Sequence, residues 1–276
     1  LKEFNYDSLI ESAIKEDIGS GDITTYSLEL SDRYGEGLII AKEDLILAGI
    51  DIAERVFKIL NPEIIFNKNY IDGDEVNKGR VIGSIKGKVE YLLAGERVAL
   101  NFLQRLSGIS TLTRRYVDMV KDYNVRILDT RKTTPGLRTL EKYAVKIGGG
   151  FNHRFGLFDG VLIKDNHIKA VGGIREAIKR ARSTIPHTLK IEVEVKDLDE
   201  VEEALNGGAD IIMLDNMSIN DIERAVNIIN KKIPIEVSGN IKLDNIIEVA
   251  KTGVNFISIG ALTHSSKGVD ISLEII

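Results

Sequence analysis

Six apolar, strand-like runs in this sequence each end on residues able to bind or react. The ends are Asp129-Thr130-Arg131-Lys132, Lys164-Asp165-Asn166-His167, Glu194, Asp215-Asn216, Ser238-Gly239-Asn240 and Gly260-Ala261. Along an extended strand, side chains i and i+2 share a face. Glu192 then shares a face with Glu194, Met213 with Asp215, and Glu236 with Ser238. Carboxylates gathered on an interior face need cations or hydrogen-bond donors beside them. Arg131, Lys132, Arg154 and Lys164 are the cations to hand. One such residue alone, Asp215 for example, is as easily a solvated loop end. Six loaded ends together read as a binding site.

Residues 126–169 stand out against an acidic chain, with nine cations against four anions and two of the four histidines, His153 and His167. Arg126, Lys142 and Lys169 read as a solvated face. Arg131-Lys132, and Gly148-Gly149-Gly150 ahead of His153-Arg154, read as an anion site. Glycine lets a backbone approach a ligand closely, and Arg matches carboxylate and phosphate bidentately. Neither a Walker nor a GxGxxG spacing is present, so those nucleotide fingerprints do not apply. The inferred ligand is a small polyanion. The accompanying acids fit either a divalent metal bridging to phosphate or carboxylates gripping sugar hydroxyls. His153 and His264 are candidate proton carriers or phosphate donors.

The elements that must position these residues differ between two halves. Residues 1 to about 105 mix helical and strand signals: helical spacing at Leu9, Ile10, Ala13, Ile14 and Ile18, a strand at 38–41, and a helix over 50–60 stopped by Asn61-Pro62. Short strands are expected over 81–85 and 88–92, and a helix over 96–106. From about residue 125 the order becomes regular. Strand-like runs at 125–130, 160–165, 189–195, 210–215, 233–239 and 254–260 are joined, for the last five, by helical patterns at 168–183, 198–205, 219–231 and 243–251. Alternation of this kind means parallel βαβ units, and the even spacing favours a βα barrel or near-barrel. A βα barrel works from the C-terminal ends of its strands.

The 276-residue chain carries a net charge of −5 and no cysteine. Disulfide scaffolds, thiolate metal sites and cysteine nucleophiles are excluded. The acidic balance argues against nucleic-acid and anionic-membrane partners. Leu1–Asn5 lack the apolar core of a signal peptide, and the longest run free of Asp, Glu, Lys and Arg, 252–266, is too short to span a bilayer. The expected location is cytoplasmic.

These residues resemble the quinolinate phosphoribosyltransferase family, the carboxylating nicotinate-nucleotide pyrophosphorylases. The likeness rests on the run 129–133, Pro135-Gly136-Leu137-Arg138, Lys142-Tyr143-Ala144-Val145, Gly148-Gly149-Gly150, Asn152-His153-Arg154 and 162–167. It extends to 16–19 and 21–25, Glu96-Arg97, Leu100-Asn101, 106–109, Thr111, 192–195, 214–216 and 260–264. The resemblance implies an α/β fold: an N-terminal α+β sandwich domain, 1–106, then an incomplete TIM-like βα barrel, 107–276, whose last few residues can pack back on the first domain. It implies a homodimer or larger homo-oligomer with a shared active site. The implied reaction joins quinolinate to phosphoribosyl pyrophosphate with magnesium, giving nicotinate mononucleotide, pyrophosphate and CO2 on the route to NAD.

By the same resemblance Lys132, Lys164, Glu194 and Asp215 are catalytic. Arg97, from the neighbouring subunit, with Arg131, Lys132, His153, Arg154 and Lys164, holds quinolinate. Lys132, Lys164, Glu194, Asp215, Ser238, Gly239, Asn240, Gly260, Ala261 and His264 hold the phosphoribosyl donor. Glu194 and Asp215 meet magnesium through substrate or water. The competing readings are a nicotinate phosphoribosyltransferase, whose one-carboxylate substrate needs fewer cations, and a barrel that only binds a phosphorylated ligand.

Overall fold

The structure is a computed structural model and describes residues 6–276. Leu1–Asn5, read above for a signal peptide, lie outside them. In chain order the elements are α1 (Asp7–Ile18), α2 (Ile23–Ser27), β1 (Tyr34–Ala41), β2 (Leu45–Ile46), α3 (Ile50–Leu60), β3 (Ile65–Lys68), β4 (Glu75–Val76), β5 (Val81–Lys88), α4 (Val89–Met119), β6 (Arg126–Leu128), α5 (Arg138–Ile147) and β7 (Val161–Ile163). There follow α6 (Asp165–Val171), α7 (Ile174–Thr184), β8 (Ile191–Val195), α8 (Leu198–Gly207), β9 (Ile211–Asp215), α9 (Ile219–Ile229), β10 (Ile235–Ser238), α10 (Ile246–Lys251), β11 (Phe256–Ser258), α11 (Ala261–His264) and β12 (Ile271–Ile275).

Two compact units divide the chain. The first takes the residues to Arg114, then Thr134–Gly149 and Ser265–Ile276; the second takes Arg115–Thr133 and Gly150–His264. A buried ion pair gives one reason for the threading of the first unit. Glu141 is fully buried, takes Arg105 Nη2 at 2.7 Å, and also accepts from the backbone N–H and hydroxyl of Thr134. Arg105 Nη1 donates to the Ser266 carbonyl at 2.7 Å, so three distant stretches are tied to one guanidinium. A buried charge of this kind needs its partner and its hydrogen bonds together.

The first unit is built on a four-stranded antiparallel sheet in the order β12-β1-β5-β3. The C-terminal strand β12 pairs along β1, with Ala41 opposite Ile271. Helix α3 buries Ile50, Ile52, Ala53, Val56 and Phe57, and its end at Leu60 lies where Asn61-Pro62 stops the helical pattern. The Asp72 carboxylate takes the backbone N–H groups of Gly49 and Ile50 at the start of α3, and the Tyr143 hydroxyl at 2.6 Å. Burial first, then that carboxylate, push the Tyr143 phenol upward.

Two expectations for this unit are corrected. Residues 88–92 are not a strand beyond Lys88; they begin α4, which runs 31 residues, so the expected helix over 96–106 is only its middle. Lys142 is not solvated: it lies on α5, 2% exposed. Residues 138–147 form a helix whose far face hides both Glu141 and Lys142. The glycine triplet begins by ending that helix, and the Gly148 carbonyl accepts from Arg114 Nε.

The second unit is a six-stranded parallel sheet, β6-β11-β10-β9-β8-β7. Ile191, Val193, Val195, Ile212, Leu214, Ile235, Val237 and Ile257 are buried on one face. Helices α8 and α9 bury Val201, Ala204, Ile222, Ala225 and Ile229 in turn. Asp197 and Ser218 cap these helices by accepting the N–H groups of Glu200 and Asp221. The alternate residues face the other way: Glu192, Glu194, Met213, Asp215, Glu236 and Ser238. This is the expected α/β architecture with a parallel, barrel-like C-terminal sheet. The helical pattern expected over 168–183 is broken at Gly172-Gly173 into α6 and α7.

Candidate active site

Strands β8 and β10 are separated by β9, yet one nitrogen reaches both. His153 Nε2 lies 3.0 Å from Glu192 Oε2 and 3.7 Å from Glu236 Oε1. Neighbouring strands stand about 4.8 Å apart, so a flat sheet would hold these carboxylates well clear of each other. Their convergence means that the sheet curls, with the acidic face on the inside.

The inner face carries two tiers. The lower tier holds Glu192 and Glu236, 5% and 2% exposed. Burial and the neighbouring Glu192 carboxylate push the Glu236 carboxyl up to about 8. The upper tier, at the strand ends, is only partly buried: Glu194, Asp215 and Ser238. Lys164, just past β7, is ion-paired to Glu194. Its backbone N–H donates to His167 Nδ1 at 2.9 Å, which fixes the start of α6.

The loops past the strand ends close around this tier. Asn216 Nδ2 donates to Asp215 Oδ2 at 2.9 Å, and Asn240 Nδ2 donates to Asn216 Oδ1 at 2.9 Å. Asn216 and Asn240 both take left-handed backbone, at φ 55° and 51°. Gly239 must be glycine: its φ is +92°, and a Cβ there would lie 2.3 Å from Asn216 Oδ1. A Cβ on Gly260 would meet Lys132 Cδ at 3.0 Å and the His264 ring at 3.1 Å, so Lys132 and His264 converge there. The Thr263 hydroxyl donates to the Lys132 carbonyl at 2.7 Å, and the Lys132 N–H donates to Thr130 Oγ1 at 3.1 Å.

Arg131 lies in the loop after β6, and Arg154 enters from the turn after Phe151. Asp129, fully buried, accepts the His153 N–H at 2.9 Å and Asn152 Nδ2 at 2.6 Å. The Arg154 N–H donates to His153 Nδ1 at 2.7 Å, and Arg154 Nη1 donates to the Gly160 carbonyl at 2.9 Å. Burial and then the charge of Arg131 hold Arg154 below the usual guanidinium range. Two guanidinium groups that feel one another's charge suit an anion.

His153, Glu192 and Glu236 present three ligand-type atoms within 4.8 Å of one another. The imidazole argues against a cation there. Its Nδ1 accepts an N–H, so the proton sits on Nε2, and that nitrogen has no lone pair to give.

The structure thus gathers Lys132, Lys164, Glu194, Asp215, Arg131, His153, Arg154, Ser238, Gly239, Asn240, Gly260, Ala261 and His264 in the second unit. Arg97 belongs to the first unit, exposed on α4. Of the cations expected to meet the interior acids, Lys164 does so; His153 meets the lower tier instead. The sequence reasoning missed Asn216 as the clasp of the Asp215 loop and Asp129 as the anchor of the arginine turn. The alternation in Glu192-Val193-Glu194-Val195 carried the signal for the lower tier, but burial depth cannot be read from alternation.

Comparison with known proteins decides the family. The model for the quinolinate phosphoribosyl transferase C-terminal domain matches residues 109–274, and that for the N-terminal domain matches 22–107. The chain belongs to the quinolinate phosphoribosyltransferase family. It is 46% identical over 267 residues, 97% of this chain and 92% of the other, to a Bacillus subtilis (strain 168) protein named probable nicotinate-nucleotide pyrophosphorylase (carboxylating). A Nicotiana tabacum quinolinate phosphoribosyltransferase (decarboxylating) 1b is 42% identical over 291 residues, 99% of this chain and 83% of that protein. A solved nicotinate-nucleotide pyrophosphorylase from Ehrlichia chaffeensis superposes with a TM-score of 0.96 at 44% identity, covering 99% of this chain and 100% of that one.

Proposed function

We propose that this chain transfers phosphoribosyl from phosphoribosyl pyrophosphate to quinolinate, releasing pyrophosphate and CO2 and leaving nicotinate mononucleotide for NAD synthesis. The observation that carries the reading is the mixed charge of the upper tier. Glu194 is paired to Lys164, Asp215 stands on the adjoining strand, and the charge of Arg131 acts on Arg154. Quinolinate is a dianion, and fixed cations are its receptor.

Arg131, Arg154, Lys132 and Lys164 grip the two carboxylates and turn the ring nitrogen toward the sugar. The bond from the anomeric carbon to pyrophosphate breaks, and the ring nitrogen bonds to that carbon. Positive charge develops at the anomeric carbon, where the carboxylates of Glu194 and Asp215 favour it. Preorganised electrostatics of this kind is usually the largest catalytic term. Lys132, Lys164 and His264, with the loops at Ser238-Gly239-Asn240 and Gly260-Ala261, hold phosphate oxygens. The quaternised ring then accepts the electron pair left at C2 as CO2 departs, and a solvent proton takes the vacant position. No side-chain nucleophile is required, which suits a chain without cysteine.

The carboxylate oxygens of Glu194 and Asp215, free of any thiolate neighbour, fit magnesium, held directly or through substrate or water. The ion, when bound, neutralises charge on the leaving pyrophosphate. Arg97 enters the site from a second copy in a homodimer or larger assembly. Residues 107–276 carry the chemistry, and residues 1–106 supply that arginine.

The test is turnover by purified protein with magnesium and phosphoribosyl pyrophosphate. Quinolinate yields nicotinate mononucleotide and nicotinate does not. Equal use of nicotinate, or no use of quinolinate, contradicts the reading.

A further inference from the structure

We propose that Glu192 and Glu236 are positioning residues which, through the His153 imidazole, hold Arg154 in place for the dicarboxylate; the proposal rests on the phosphoribosyl-transfer reading above. Two buried acids facing one another are a costly device. An apolar pair of the same shape is often no less stable. Here each keeps an Oε1 atom without a hydrogen bond. Glu192 Oε2 and Glu236 Oε1 both face one ring, and Glu236 also meets Ser258.

His153 Nε2–H donates to Glu192 Oε2 at 3.0 Å, with Glu236 Oε1 behind it at 3.7 Å. The same ring accepts the Arg154 N–H on Nδ1, while the His153 N–H is taken by Asp129. Both ring nitrogens are therefore spent on the protein. His153 thereby braces the main chain at 153–154. The Glu192 charge also favours the charged form of Arg154. At the far end of the side chain, Nη1 on the Gly160 carbonyl sets the guanidinium plane. The acids thus act at the foot of the arginine and Gly160 at its head.

Removing Glu192 leaves the Nε2–H without its acceptor and frees the ring to turn, and the arginine turn loosens with it. Glu192→Ala should raise KM for quinolinate about tenfold, while KM for phosphoribosyl pyrophosphate stays within about twofold. Glu192→Gln keeps an acceptor oxygen and should restore most of the loss; it also serves if the alanine variant does not fold. Glu236→Ala should follow Glu192→Ala, and Glu236→Gln should rescue it. A parallel rise in both KM values, or no change for quinolinate, overturns the proposal.

A second readout does not depend on turnover. Nitrogen-15 shifts of the His153 ring in the intact protein should show a proton on Nε2 and a bare Nδ1, and Glu192→Ala should disturb that signature. A ring protonated on Nδ1 in the wild-type protein overturns the proposal whatever the substrate proves to be. Correct ring shifts in a protein that ignores quinolinate would instead sink the functional reading alone.

Discussion

Glu194 and Glu192 are the same residue type, two positions apart on β8, facing the same way, yet they belong to different chemistries. Glu194 sits at the strand end, its side chain 17% exposed, with a lysine on its carboxylate. Glu192 lies one tier lower, 5% exposed, against a histidine and a second acid. One repeat of the strand pleat, about 7 Å, separates a group that can meet a substrate from one that can only act through a neighbour. Depth along a curled strand is thus a functional coordinate.

The largest expected effect is at the upper tier. Glu194→Ala should lower kcat about 10²- to 10³-fold by removing charge that faces the anomeric carbon, as loss of one preorganised electrostatic group does elsewhere. Steady-state kinetics with thermal melting checks it. A melting temperature that falls as steeply as kcat would erase the distinction between the tiers.

Glu236→Gln sharpens the comparison from below. The folded protein holds Glu236 up at about 8, above its ordinary value in an unfolded chain. A raised carboxyl favours the folded state while protonated. That contribution is full below the unfolded value and fades as pH climbs through the folded one. Wild-type melting temperature should therefore decline between about pH 5 and pH 8 more than that of Glu236→Gln. Parallel melting curves for the two proteins would remove the buried acid from the account.

The smallest effect marks the edge of the site. Lys169, 73% exposed in its side chain, pairs only with Asp165 four residues earlier among the contacts described. Lys169→Ala should change stability by less than about 0.5 kcal/mol and leave kinetics unaltered. A tenfold loss of activity would extend the site beyond the inner face.

The regular half was legible in the sequence because β8 to β11 have buried outer faces and helices with their own caps, Asp197 and Ser218. Local pattern and tertiary role agree there. The placement of polar residues at the strand ends was legible for the same reason. Lys142 was not: a lysine on a helix is usually solvated, and only the fold of α5 shows it buried. Residues 88–92 failed for a related cause, since Val89 follows a real strand without a break and the helix begins with no capping residue to announce it. The arginine turn depends on Asp129 reaching 24 residues along the chain to His153, a contact that no local pattern encodes.

The most direct test of the central claim follows the carboxylate lost from the ring. Quinolinate labelled at the C2 carboxyl should release labelled CO2 only when phosphoribosyl pyrophosphate is present, with one pyrophosphate formed for each CO2. Release without the sugar donor, or a nucleotide product that keeps both carboxylates, would contradict transfer coupled to decarboxylation.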